Sequence, residues 1–169
     1  MSTANSDAED IRNVLNLYAL AIDTQDWNLF DEVFTPDIVG DYPGHTWTDR
    51  EALKRDLAAQ LLPFEATQHL MTIMRLTIQG DVAEAITYGQ WLMIRKLGGS
   101  PSDEWRGLGW YEDEVVRTAA GWRIRKRSNR MISSSGMLSL PDEDHAVDAM
   151  RYSSIMTEYR GGSFRALRM

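Results

Sequence analysis

The chain has 169 residues, 43% of them hydrophobic, which suits one domain with a sizeable core. Its 25 acidic and 18 basic residues give a net charge of −7, which disfavours a nucleic acid as partner, because phosphate binding wants a positive surface. No cysteine is present, so disulfides and thiolate chemistry are excluded, and no apolar run approaches the roughly 20 residues of a membrane span.

The first residues, MSTANSDAED, are polar and acidic, unlike a signal peptide; a soluble cytoplasmic protein is expected. Residues 7–23 are predicted to be a helix, capped by Ser6 or Asp7 and acidic in its first turn. At about 100° per residue, Ile11, Val14, Leu15, Tyr18 and Ile22 share one stripe. After the break TQD, Asp26 is a plausible cap for a second helix, WNLFDEVF, ending before Pro36. Next come a short strand, DIVGDY, and a Pro-Gly turn at 43–44. Thr48 or Asp49 then caps a third helix, REALKRDLAAQLL, stopped by Pro63.

Beyond Pro63 the hydrophobic period shortens from 3.6 to about 2. Four long strands are predicted, 66–78, 82–96, 104–118 and 121–133, with links QGD, LGGSPSD and TAAG, short enough for antiparallel neighbours. Helices first and strands later indicate an α+β fold, with helices on one face of a curved sheet. Residues 134–169 read as a separate C-terminal extension: a loop, SSSGMLSLPDED, then a helix over DHAVDAMRYSSIMTEYR with an imperfect stripe. The basic cluster RIRKRSNR at 123–130 falls on a predicted strand between acidic segments, and so does not argue for nucleic acid.

Four pieces in register, IRNVLNLYALAIDTQDWNLFDEVFTPDIV, ATQHLMT, GDVAEAITYGQWLM and YEDEVVRTAAGWRIRKR, resemble SnoaL-like proteins of the nuclear transport factor 2-like superfamily. The resemblance spans roughly residues 9–131. It implies a cone-shaped α+β barrel over residues 1–133: a strongly bent mixed or antiparallel sheet wrapped around three N-terminal helices, with a deep pocket at the open end. Relatives include scytalone dehydratase, bile acid 7α-dehydratase, hexachlorocyclohexane dehydrochlorinase, ketosteroid isomerase and polyketide cyclases, together with non-catalytic members and dioxygenase small subunits. The fold alone therefore does not fix the activity.

Dehydratase-like relatives use a Tyr and an Asp of the first helix with a His of the first long strand, and Tyr18, Asp23 and His69 stand at matching places. A neutral histidine serves as base near pH 7. A carboxylate on its other nitrogen fixes the tautomer and stabilises the imidazolium, and a tyrosine donates to a carbonyl or hydroxyl. The bland alternatives are a core tyrosine within the stripe, a surface carboxylate at a helix end and a packed strand histidine. Asp23 falls about 100–140° from the centre of the stripe, so it reaches a pocket only where the helix ends or bends. It also sits at the negative end of the helix dipole, a poor place for a carboxylate unless something compensates. Many members carry an Asn four residues after this His, where Ile73 stands here.

The other two histidines, His45 in PGHTW and His145 in DEDH, are expected to be exposed. Tyr42, Trp47, Met71, Ile73, Trp110, Tyr111 and Arg130 are candidate substrate contacts, with Met74, Trp91 and Met93 as further apolar walls. Trp105 and Tyr111 are expected on one face and Trp110 on the other. Trp122 and Ile124 are expected to face inward, which brings Lys126, Ser128 and Arg130 to the same side and turns Arg127 and Asn129 outward unless a bulge reverses the phase. An inward Arg130 would bind a substrate carboxylate or carbonyl; a plain surface ion pair is the alternative.

Metal-ligand, dinucleotide and nucleophile-elbow motifs are absent from the sequence, so no metal and no cofactor are expected. These readings together point to a cofactor-independent lyase of the dehydratase type. An isomerase or cyclase using the same base is the first alternative, and a non-catalytic binding or accessory subunit the second. The expected partners are a small-molecule substrate and further copies of the chain, a trimer by resemblance to the dehydratases or a dimer as in other relatives. The extension after residue 134 is expected to cover the pocket or an oligomer interface.

Overall fold

A computed structural model describes residues 3–98 and 103–136. The extension expected at 134–169, its helix and His145 therefore lie almost wholly outside the described residues, as does part of the LGGSPSD link.

Helix α1 runs from Thr3 to Thr24. It starts ahead of the expected caps, and the Asp7 carboxylate has other partners: it accepts from the indole N–H of Trp122 at 3.2 Å and from Arg117 at 2.7 Å. The predicted stripe is the buried one, with Ile11, Val14, Leu15, Tyr18 and Ile22 all in the core. The helix ends at Gln25, in the left-handed region at φ 53°. Asp26 caps the next turn, accepting the Asn28 N–H. The expected second helix is shorter than its pattern: a 3-10 turn at Trp27–Leu29 leads into α2, Phe30–Val33. Strand β1 already begins at Phe34 and runs to Tyr42, so Pro36 lies inside a strand. It is tolerated there because regular pairing with the neighbouring strand is interrupted between Phe34 and Val39, where a missing N–H leaves no ladder bond unmade.

Strand β2, His45–Trp47, folds back on β1. Helix α3, Arg50–Leu61, is capped by Asp49, which accepts the N–H groups of Glu51 and Ala52. Four long strands complete the chain order, β3 Ala66–Gln79, β4 Val82–Ile94, β5 Glu104–Thr118 and β6 Gly121–Gly136, each antiparallel to the next. β1 pairs in parallel with β6, which gives a six-stranded mixed sheet in the order β2-β1-β6-β5-β4-β3. The sheet is open, with β2 and β3 as its edges, so the cone is closed by helices and not by strand pairing. α1 packs against β3 and β6, and α3 against β1 and β2.

Bulges set the face that each strand presents. In β6 the partners of Glu114 and Val115 are Lys126 and Ile124, so Arg125 is the extra residue and the alternation flips there. Trp122 and Ile124 face inward as expected, but Arg127 and Asn129 are the buried inward residues beyond the bulge. The unbulged phase is thereby corrected for Lys126, Ser128 and Arg130. On β3 the register shifts between Ile73 and Arg75. Met71 and Ile73 pack against the core, whereas Met74 is 53% exposed and is not a pocket wall.

Candidate functional site

The site is built where the last turn of α1 meets the edge strand β3. An edge strand leaves alternate N–H groups without a ladder partner, and Asp23 fills that vacancy. One carboxylate oxygen accepts the backbone N–H of His69 at 2.8 Å. The other accepts the Thr67 hydroxyl at 2.8 Å and meets His69 Nδ1 at 2.7 Å. The helix needs no bend, because the strand comes to it. Partial burial pushes the Asp23 carboxyl up, but the hydrogen bonds and charge of His69 with the Thr67 hydroxyl outweigh that and hold it below the usual value. These donors also answer the helix dipole.

An ionised carboxylate only accepts, so the proton on this hydrogen bond belongs to His69 Nδ1. The neutral ring then carries its lone pair on Nε2, which has no hydrogen-bond partner among the described residues. The His69 side chain is only 4% exposed, so the base-competent nitrogen sits in a sheltered interior.

Beside it lies a cluster of tyrosines. The Tyr18 ring stands edge-on to His69 with centroids 6.2 Å apart, and the Tyr42 hydroxyl donates to the Tyr18 hydroxyl at 3.2 Å. Tyr111 packs edge-on against Tyr18 at 5.5 Å. Burial raises the hydroxyls of Tyr42 and Tyr111 well above the ordinary tyrosine value, and their mutual crowding with Tyr18 adds to it. They remain protonated donors at neutral pH. Trp47 packs edge-on to Tyr42 at 5.5 Å and is anchored by its indole N–H to Asp56 of α3 at 2.9 Å. His45 is exposed and lies against Trp47.

Under the tyrosines is the residue that the unbulged reading turns outward. Arg127 is fully buried, its guanidinium 4.1 Å from the Tyr18 ring centroid and 4.3 Å from that of Tyr111. It is held to Asp113 by two parallel bonds of 2.7 and 2.8 Å, the bidentate geometry that favours arginine. Burial works against its charge, yet Asp113 and the tyrosine oxygens hold its proton affinity well above normal. Its Nη1 has no hydrogen-bond partner.

The floor is a flat indole. Trp91, the cross-strand partner of His69, lies over three glycines. A Cβ on Gly89, Gly107 or Gly109 would come within 2.6 to 2.8 Å of the Trp91 ring, closer than atoms pack. The Trp91 indole N–H, Thr87 Oγ1 and Asn129 Oδ1 are also buried without partners. Thr87 and Asn129 flank Tyr111 in one cross-strand row. Unpaired polar atoms in a mostly apolar interior are candidate partners for a ligand.

The structure thus brings together Asp23, His69, Tyr18, Tyr42, Trp47 and Tyr111, with Met71 and Ile73 on the same side of β3. It does not bring Trp110 or Arg130 there. Trp110 is on the opposite face of β5 from Tyr111, its indole donating to Glu112. Arg130 pairs with Asp41 at 3.1 Å and approaches Glu112 at 4.0 Å, the surface ion pair weighed as the alternative. Arg127, Asp113 and Asn129 are the polar residues that strand alternation missed; an acidic residue in the apolar face of β5 was the available signal. Among the described residues no group of three His, Asp or Glu side chains is placed to hold a metal ion, and no helix is long and apolar enough to cross a membrane.

The profile of the SnoaL-like domain matches residues 4–128. An uncharacterized protein of Mycobacterium tuberculosis strain H37Rv is 32% identical over 126 residues, covering 72% of this chain and 83% of that protein. Among solved structures, a protein of Kribbella flavida aligns with a TM-score of 0.72 at 25% identity, over 78% of this chain and 95% of its own. A protein of Novosphingobium aromaticivorans, provisionally assigned as a scytalone dehydratase, aligns at 0.70 with 20% identity, over 80% and 90%. A hexachlorocyclohexane dehydrochlorinase of type 2 aligns at 0.67 with 18% identity, over 83% and 97%.

Proposed function

The chain belongs to the SnoaL-like domain family, and on that premise we propose that it is a cofactor-independent lyase of the dehydratase type. Its substrate would be a mid-sized, largely apolar molecule with a carbonyl or similar activating group beside the reacting carbon. The observation that carries this reading is the Asp23–His69 pair, a histidine oriented by a carboxylate with its side chain sheltered from solvent. The names of two structural neighbours, a provisionally assigned scytalone dehydratase and a hexachlorocyclohexane dehydrochlorinase, agree with it.

In this reading His69 Nε2 takes the proton from the carbon next to the activating group. Nδ1–H stays on Asp23, whose charge stabilises the imidazolium. Tyr18, relieved of its acceptor role toward substrate by the Tyr42 hydroxyl, donates its own proton toward the oxygen where negative charge develops. Arg127, stacked beneath Tyr18 and Tyr111, turns the positive end of its ion pair with Asp113 toward that oxygen. The carbon–oxygen bond to the leaving hydroxyl then breaks. The hydroxyl departs as water with the proton returned by His69, leaving a double bond and the enzyme in its starting state.

The test is incubation of the protein with a panel of β-hydroxy ketones and thioesters, with products read by mass. Loss of one water in the wild type and none in His69→Ala supports elimination. A product of unchanged mass assigns the same base to isomerisation or cyclisation. No turnover of any member of the panel, with a metal-containing larger subunit co-purifying, assigns the fold to an accessory role.

A further inference from the structure

The inward side chains of β4 run Gly89, Trp91, Met93, and the next position of that phase is Arg95, just past the strand end at Ile94. Its backbone is fixed by an N–H bond to the Asp103 carbonyl at 2.8 Å. Its guanidinium lies 4.8 Å from the ring centroid of Phe64, a core residue. Nε, Nη1 and Nη2 are all buried, and none has a hydrogen-bond partner.

Elsewhere the fold treats its enclosed cations differently. Arg127 has Asp113, and Lys54 has Asp31. Among the described residues Arg95 is the one guanidinium with all three nitrogens buried and unpaired. None of the nearby carboxylates takes a bond from it: Glu65 accepts the Leu97 N–H at 2.8 Å, Glu104 binds Arg106 at 2.7 Å, and Asp103 meets Arg95 only through its backbone carbonyl. A guanidinium cannot shed its charge, and an uncompensated buried charge is costly to folding. A buried guanidinium without a partner points to an anion that is missing from it.

We propose that the substrate carries an anionic end, a carboxylate or phosphate-type group, and that Arg95 is the residue that binds it; this rests on the reading of the same cavity as the substrate site. The strand gives the length. Arg95 is four residues past Trp91, the partner of His69, which at about 3.3 Å per residue places the anion subsite about 13 Å from the proton-transfer position. Trp91 and Met93 line the way between. The ligand is therefore amphipathic: an apolar body spanning that distance, with the reacting carbon at one end and the anion at the other.

Binding is measured by calorimetry with decanoate, decyl phosphate and decan-1-ol on the wild type, Arg95→Gln, Arg95→Lys and His69→Ala. The wild type is expected to prefer at least one anion over the alcohol by about 10-fold or more, and the choice between carboxylate and phosphate identifies the group. Arg95→Gln should erase the preference while leaving the alcohol's affinity in place, and Arg95→Lys should restore part of it. His69→Ala should keep the preference whether or not it loses turnover, so the two readings fail separately. Equal preference in the wild type and Arg95→Gln, or no binding of any probe, overturns the proposal. Thermal unfolding without ligand adds a second readout: Arg95→Met should melt at or above the wild type, because an unpaired charge is removed. A lower melting point assigns Arg95 to packing on Phe64 and overturns it too.

Discussion

Asp23→Asn removes one charge and almost no volume. The carboxylate takes three donors, the Thr67 hydroxyl, the His69 N–H and His69 Nδ1–H, at 2.7 to 2.8 Å. An amide offers one acceptor oxygen, and its NH2 must face at least one of those donors. A buried donor left unsatisfied costs about 1–3 kcal/mol; the Asp23 side chain is 24% exposed, which lets water relieve part of this, so about 1–2 kcal/mol is expected by denaturant unfolding. The Asp23 carboxyl is held below its ordinary value of 3.8, so its contribution is fully present above the unfolded-state value and is lost as pH falls through the folded-state one. The stability gap between wild type and variant should thus be present above about pH 4 and close below it. Turnover should fall by about 10²–10⁴, mostly in kcat, because the orientation of the base is lost while the cavity is kept. Nitrogen-15 shifts of His69 should report the Nδ1–H tautomer in the wild type and a mixture in the variant. An Nε2–H tautomer in the wild type, or a variant with unchanged kcat, refutes the reasoning.

Arg127→Met should destabilise by about 3–5 kcal/mol because it strands Asp113 in the core. The double change with Asp113→Leu should recover most of that in a denaturant cycle, while the lost guanidinium under the tyrosines still lowers kcat. Gly109→Ala should cost more stability than Gly89→Ala. A Cβ at 109 collides with the backbone carbonyl of Arg130, whereas one at 89 meets only the movable Trp91 ring; comparative melting checks the order. The outer face of the sheet exposes Leu70, Leu108 and Ile132 by 55%, 43% and 42%, on strands β3, β5 and β6. Sedimentation is expected to show a homo-oligomer, the trimer favoured over the dimer, and Leu108→Arg to shift it toward monomer.

Much of this architecture can be read along the chain because local physics decides it. The α1 stripe, the Asp26 and Asp49 caps and the four long strands all derive from periodicity and capping chemistry, and each lies within a few residues of its expected place. The Asp23–His69 pair rests on resemblance; helical geometry alone sets Asp23 off the buried stripe, and only the position of the β3 edge brings the two together. Three features have no local signature. The parallel pairing of β1 with β6 joins segments about 90 residues apart. Pro36 reads as a breaker until the interrupted pairing around it is known. The bulge at Arg125 adds one residue that alternation cannot see, and with it exchanges Arg127 for Arg130 in the buried interior. That single residue decides which arginine is buried beneath the tyrosines.

The most direct test of His69 as a base is proton exchange. The wild type, His69→Ala and Asp23→Asn are incubated in deuterium oxide with ketones and thioesters that bind the cavity, and deuterium entering the carbon beside the carbonyl is read by mass. This step precedes elimination, isomerisation and cyclisation alike. The account predicts catalysed exchange by the wild type, none above background with His69→Ala, and exchange slowed by about 10²–10⁴ with Asp23→Asn. Equal exchange by the wild type and His69→Ala would contradict it.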